Sequence, residues 1–314
     1  MSSKKSGNSE KTAVIQHFGD MYLRGEIPDG VVSGVQIGEA IKQLGVKLSA
    51  NNTANFLKDL LRKNPELNWP KSLLQHRIYA RQVYGQGRVL QFFKAPEGVD
   101  PFSDEDLPAE FPVSKVSSLA MDSLARGLGR TEETWLTQVV VNLRLIDEHL
   151  AVHSPDAAAI KDLRFLQVGM KTQPEIDAVF VAEYSNSNST DLDNVFITVE
   201  LKQRGERVLR DQIREQVRKA FEETAKIRDR AINAVKPLAV NIVRREFEGA
   251  EEDLIVIREY ATISRLTFDK VYARSISAEA VYNMPLNMVS CSAYAIRPPI
   301  GALGSRKRGK NIPV

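Results

Sequence analysis

Apolar and polar positions repeat along this chain with two different periods, and the change of period divides it. From residue 12 to about 75 the spacing is helical. "AVIQHFGDMYLRG" closes on a glycine, and "VQIGEAIKQLGV" puts Ile37, Ala40, Ile41 and Leu44 on one face with Gly45 just past its end. "SANNTANFLKDLLRKN" opens with capping-type residues and aligns Ala54, Phe56, Leu57, Leu60 and Leu61. "RIYARQVYGQGRVLQFFK" then alternates around a Gly-Gln-Gly turn, which predicts a hairpin. Residues 96–112, "PEGVDPFSDEDLPAEFP", are acidic, rich in Pro and aperiodic, and are expected to be a linker. Two further helical segments follow, "VSKVSSLAMDSLARGLG" and "TEETWLTQVVVNLRLIDEHLAVH", the second capped by Thr131.

From residue 163 the period becomes two. "LRFLQVGMK", "EIDAVFVAEY" and "NVFITVELKQR" predict a three-strand meander whose last two strands flank the polar loop "SNSNSTDLD". A long amphipathic helix is expected over 206–234, with Leu209, Ile213, Val217, Ala220, Phe221 and Thr224 inward and Pro237 as its stop. "LAVNIV" and "LIVIREY" read as additional strands. Helix, meander, helix, strand describes an α/β domain on one sheet over 113–300. Residues 1–11 and the basic stretch 301–314 read as tails, and 12–95 as a separate small domain.

With 314 residues and 43% hydrophobic composition the chain can bury a sizeable core in one or two domains. The net charge of +3 says little, but residues 36–94 hold ten Lys or Arg against Glu39, Asp59 and Glu66, a local balance of +7. Such a module suits an anionic partner, nucleic acid before membrane. The single cysteine, Cys291, excludes an intramolecular disulfide and a Cys-cluster zinc site; within "NMVSCSAYAI" it reads as a buried structural thiol. The four histidines lack metal-ligand spacing. No stretch approaches the roughly 20 apolar residues of a membrane-spanning helix, and the polar start lacks the apolar region of a secretory signal. The expectation is a soluble cytoplasmic protein.

The meander carries charge where core side chains belong. Thr198, Glu200 and Lys202 share one face of their strand, and Asp177 is the only charge between Glu175 and Glu183 on the strand before it. Hairpin pairing brings Asp177 close to Glu200 and Lys202. Two carboxylates beside one lysine suit a hard divalent cation and a phosphate: the carboxylates supply oxygen ligands, and the lysine positions water or neutralises charge developing on phosphorus.

Asp177, then 22 residues, then Glu200-x-Lys202 on a meander flanked by helices resembles the PD-(D/E)xK nuclease superfamily, over roughly residues 131–260. The literal "PD" is absent, since Ile176 precedes Asp177. The resemblance implies a restriction-endonuclease-like mixed sheet flanked by helices, Mg²⁺ (or Mn²⁺) on Asp177 and Glu200, and a hydrolytic role for Lys202. It also implies an acidic residue on the preceding helix, Glu133 before Glu132, and in some branches a glutamine on the following helix, Gln212 or Gln216. Gln203 and Arg204 are candidates for phosphate contact.

The order of elements over 12–95 resembles a winged helix-turn-helix domain, with 51–63 as recognition helix and 77–94 as wing. This implies Asn51, Asn52, Asn55, Lys58 and Arg62 toward DNA, and Arg77, Arg81 and Arg88 on the wing. Together these readings describe a site-specific type II restriction enzyme on double-stranded DNA, a homodimer with one centre per strand and a cognate methyltransferase as genetic companion. The alternatives are a defence or repair nuclease acting on structured or modified DNA, and a non-catalytic DNA-binding regulator.

Overall fold

In the computed structural model of the chain, the described residues are 7–49, 53, 56–57, 60–61, 65–83, 87–98, 107–127, 133–172, 174–185, 192–227, 232–272, 284–301 and 303. They fall into two compact units, Met1–Glu105 and Asp106–Val314.

The N-terminal unit runs α1 (Gly7–Leu23), β1 (Val31–Ser33), α2 (Gly34–Gln43), two short helices α3 (Pro65–Asn68) and α4 (Lys71–Gln75), then the hairpin β2 (Ile78–Gln82) and β3 (Arg88–Lys94). Helix α1 begins inside the stretch expected to be a tail. Strand β1, too short to show a period, pairs antiparallel with β3 and makes the sheet order β1-β3-β2. Ser33 ends β1 and caps α2 through a reciprocal box with Gln36, satisfying backbone donors that the helix start would leave orphaned. Gly30 lets β1 approach β3. Its φ is +69°, and a Cβ there would lie 2.3 Å from the Phe92 carbonyl oxygen. Ile37, Ala40 and Ile41 of α2 pack with Val14, Ile15 and Phe18 of α1 and with Phe56, Leu57 and Leu60, so these apolar positions face inward as the spacing implies.

The C-terminal unit contains β4 (Val113–Ser117), α5 (Ser123–Gly127), α6 (Glu133–Asn142), α7 (Leu145–Val152), the meander β5 (Ile160–Met170), β6 (Ile176–Ser185) and β7 (Leu192–Lys202), α8 (Arg210–Thr224), β8 (Ala234–Phe247), β9 (Ala250–Tyr260), the short β10 (Ile263–Ser264), α9 (Arg265–Tyr272) and β11 (Met288–Arg297). One mixed sheet has the order β4-β11-β9-β8-β7-β6-β5, with β10 on β8. The meander is antiparallel, α8 crosses over, and β8 returns parallel to β7. Helices cover both faces. Alternate residues Ala178, Phe180, Val199 and Leu201 pack under α6 and α7, while Val179 and Phe196 pack under α8 with Val217, Ala220 and Phe221.

Four expectations are corrected. Residues 113–117 form a strand, not the start of a helix: they pair parallel with β11, whose register outweighs a weak local helical pattern. The helix expected from Thr131 breaks at Arg144, whose φ of 53° is left-handed, so that buried Leu143 and Leu145 both reach the core. The crossover helix ends at Thr224, not near 234, and Pro237 lies inside β8, where pairing with β9 begins only at Leu238 and a missing N–H breaks no bond to β9. Cys291 on β11 is half-buried rather than buried. At the end of the expected linker, Leu107 and Phe111 pack against Leu254, Val256, Ala293 and Ala295.

Candidate active site

Asp177 stands at the start of β6, and Glu200 and Lys202 at the end of β7. Their register runs from Ser185–Leu192 to Ala178–Val199, so one step further Asp177 falls opposite Glu200. All three side chains lie on the face covered by α8, because their positions alternate with the apolar set under α6 and α7.

The cluster closes on one point. The Lys202 ammonium contacts Glu200 Oε1, lies 2.9 Å from the Leu201 carbonyl oxygen and 4.0 Å from Asp177 Oδ2. The Leu201 N–H donates to Asp177 Oδ2 at 2.8 Å, which aims that carboxylate at the end of β7. From α8, Gln216 Nε2 donates to Glu200 Oε2 at 2.5 Å and to the Glu175 carbonyl oxygen at 2.9 Å, fixing Glu200 against the sheet. Glu200, Lys202 and Gln216 are fully buried, whereas the Asp177 side chain is 16% exposed and forms the rim. A buried carboxylate and ammonium are tolerable only as a pair with further hydrogen bonds, and this one has them.

Could these residues hold a divalent cation? Among the described residues no group of three or more His, Cys, Asp or Glu side chains is arranged to do so. Two carboxylates and the Leu201 carbonyl nevertheless supply three protein oxygens around one cationic group, the ammonium of Lys202. A hard cation that keeps several waters fits such a donor set. The backbone oxygen is invisible to any reading by residue type.

The other candidates separate. Of the two glutamines, Gln216 reaches Glu200; Gln212 is buried one turn earlier on the same helix. Glu133 opens α6, which packs against the meander with buried Trp135, Leu136, Val139 and Val140 in the core beneath the opposite face. Its side chain and Glu132 lie outside the described residues. Arg204, exposed just past β7, donates to Asp253 of β9 at 3.0 and 3.2 Å; Gln203 is half-buried. On the N-terminal hairpin Arg77, Arg81 and Arg88 are half-buried, Arg81 bonding to Gln91 across the ladder at 2.9 Å. Asn51, Asn52, Asn55, Lys58 and Arg62 lie outside the described residues, as does most of the basic 301–314 tail.

A second buried polar cluster occupies the other face of the sheet. Glu259 of β9 contacts the Lys236 ammonium, accepts from Ser154 Oγ at 2.8 Å and faces His149 Nε2 at 3.3 Å. His149 Nδ1 lies 2.7 Å from Ser292 Oγ, and Lys236 also donates to Asp156 at 2.8 Å. Burial alone would raise the Glu259 carboxyl; His149, Lys236 and Ser154 outweigh it and hold it below its ordinary 4.5. Glu259, His149, Lys236 and Ser292 are fully buried, while Asp156 at the cluster's edge is 40% exposed. This cluster ties α7, β8, β9 and β11 together. Comparison of the chain with protein-family models, curated proteins and solved structures found no match.

Proposed function

We propose that the chain is a Mg²⁺-dependent DNA endonuclease of the PD-(D/E)xK kind, acting as a type II restriction enzyme. The observation that carries this reading is the convergence of Asp177, Glu200, Lys202 and the Leu201 carbonyl at the end of two meander strands. The surrounding order supports it: a helix layer, three antiparallel strands, a crossover helix and a parallel strand. In the N-terminal unit, the succession of helix, short strand, helix, two short helices and hairpin supports a winged helix-turn-helix reading, with DNA recognition as its role.

A divalent cation held by Asp177, Glu200 and the Leu201 carbonyl would supply Lewis acidity to the phosphoryl group. The chain's own groups do the rest. Leu201 N–H and Gln216 hold the two carboxylates in fixed orientations, so little reorganisation accompanies reaction. Lys202 brings a compact positive charge to where negative charge grows on phosphorus.

Burial of Glu200 and Lys202 favours a second reading, a structural ion pair in a DNA-binding regulator. Plasmid digestion with Mg²⁺ or with EDTA decides between them. Discrete fragments with Mg²⁺, lost in Asp177→Asn while DNA retardation persists, are expected. Retardation without cutting at any Mg²⁺ concentration would refute the nuclease reading, and structure-dependent nicking would move the protein to a repair or defence role.

A further inference from the structure

Lys202 occupies the place that a metal ion would need. Its ammonium holds Glu200 Oε1 and the Leu201 carbonyl and faces Asp177 Oδ2. Two cations at that spacing repel strongly inside a protein. On the nuclease reading, on which this inference rests, the ammonium therefore leaves those oxygens when the divalent cation arrives. The side chain is 1% exposed, so the ammonium cannot go to water without rebuilding the face above it, and a buried ammonium requires another acceptor.

The neighbouring strand offers one. Asn241 of β8 lies directly opposite Lys202 in the parallel register and on the same face, beneath α8. It is 6% exposed, and its Oδ1 has no hydrogen-bond partner. Buried polar atoms are almost always paired, so an orphan acceptor here calls for a reason. Its partner across β9 is Val256, which cannot donate from its side chain. Of the two residues directly opposite Asn241, Lys202 is therefore the one that carries a side-chain donor, and adjacent strands are about 4.8 Å apart, within the span of a lysine side chain.

We propose that Asn241 is the second seat of the Lys202 ammonium, taken up when a divalent cation enters between Asp177, Glu200 and the Leu201 carbonyl. Asn241 is then a positioning residue, acting on metal binding through Lys202. In the absence of metal, Lys202 neutralises the carboxylates; in its presence, Lys202 stands one strand away with its charge still beside the site.

The test is Mn²⁺ affinity of the full chain without DNA, read from the signal of free Mn²⁺ in electron paramagnetic resonance. Asn241→Leu is expected to weaken binding about fivefold, and Lys202→Met to tighten it about tenfold or more, in the range of coupling measured for neighbouring groups. In the double variant the substitution at 241 is silent, because no ammonium remains to be seated. Weakening by Asn241→Leu that is equal with and without Lys202 would overturn the proposal, as would a Lys202→Met no tighter than wild type. Should Lys202→Met fail to fold, Asn241→Asp decides: a stronger second seat tightens Mn²⁺ binding where Leu weakens it, and shifts in the same direction refute the exchange. Mn²⁺ binding that Asp177→Asn abolishes but residue 241 does not affect removes this proposal alone. No binding by wild type, Asn241→Asp or Lys202→Met removes the nuclease reading with it.

Discussion

Lys202→Met removes the ammonium that contacts the buried Glu200 carboxylate, and its effect on stability can be worked from the geometry. Unit charges 4.0 Å apart, the separation of Lys202 Nζ from Asp177 Oδ2, interact by about 4 kcal/mol at an effective dielectric of 20. Removing one partner of a buried pair costs about 3–5 kcal/mol, because the other charge remains without water or counter-ion. Gln216 still donates to Glu200 but does not neutralise it. A loss of about 3 kcal/mol or more in EDTA is therefore expected. Adding Glu200→Gln to Lys202→Met removes the stranded charge while keeping an acceptor for Gln216, and should recover most of that loss. The assay is urea denaturation followed by tryptophan fluorescence in a Trp69→Phe background, where Trp135, buried in the C-terminal unit, is the sole reporter. The C-terminal unit's transition is then read by itself, as two-state analysis requires. A Lys202→Met loss below about 1 kcal/mol would show that the ammonium is not what makes Glu200 tolerable. A double variant no more stable than the single one would refute the charge argument in favour of lost packing.

Three further outcomes are expected. Because the Glu259 carboxyl is held below its ordinary 4.5, its charged form contributes stability that is complete above that value and lost as pH falls through the lowered one. The wild-type melting temperature should drop on acidification below about 4.5, and Glu259→Gln should flatten that drop while destabilising the fold at pH 7, since Lys236 loses its buried carboxylate and keeps the part-exposed Asp156; a profile unchanged by the substitution would refute the linkage. Gly30→Ala should selectively destabilise the N-terminal unit, because a Cβ meets the Phe92 carbonyl at 2.3 Å; Trp69, packed in that unit's core, should report it while the Trp135 transition stays in place. Binding of the full chain to duplex DNA should weaken linearly in log–log salt plots, and replacing Arg77 or Arg88 by Ala should lower the slope by about 1 each if they touch phosphate; unchanged slopes would remove the hairpin from the interface.

Much of the candidate site was legible in the residues because a strand's alternation is local physics. Apolar Ile197, Val199 and Leu201 against Thr198, Glu200 and Lys202 determines which side chains share a face before any partner strand exists. A short polar loop between β6 and β7 narrows their pairing enough to bring Asp177 near Glu200. Helical spacing likewise marked the inward faces of α2 and α8, except that Leu44, at the C-cap of α2, is exposed. Tertiary structure decided what depends on partners distant in sequence. Residues 113–117 became a strand only because β11, some 180 positions later, offered a parallel edge, and Pro237 entered a strand because pairing of β8 with β9 begins only at Leu238. Selecting Gln216 over Gln212 required knowing how α8 sits on the sheet. The Leu201 carbonyl and the Asn241 acceptor had no signal in the residue pattern: one is a backbone atom that every residue carries, and the other lies beside Lys202 through a register set by a 31-residue crossover between β7 and β8. Side-chain alternation follows from the covalent chain, whereas the neighbour across a parallel strand is chosen by the packing of everything between.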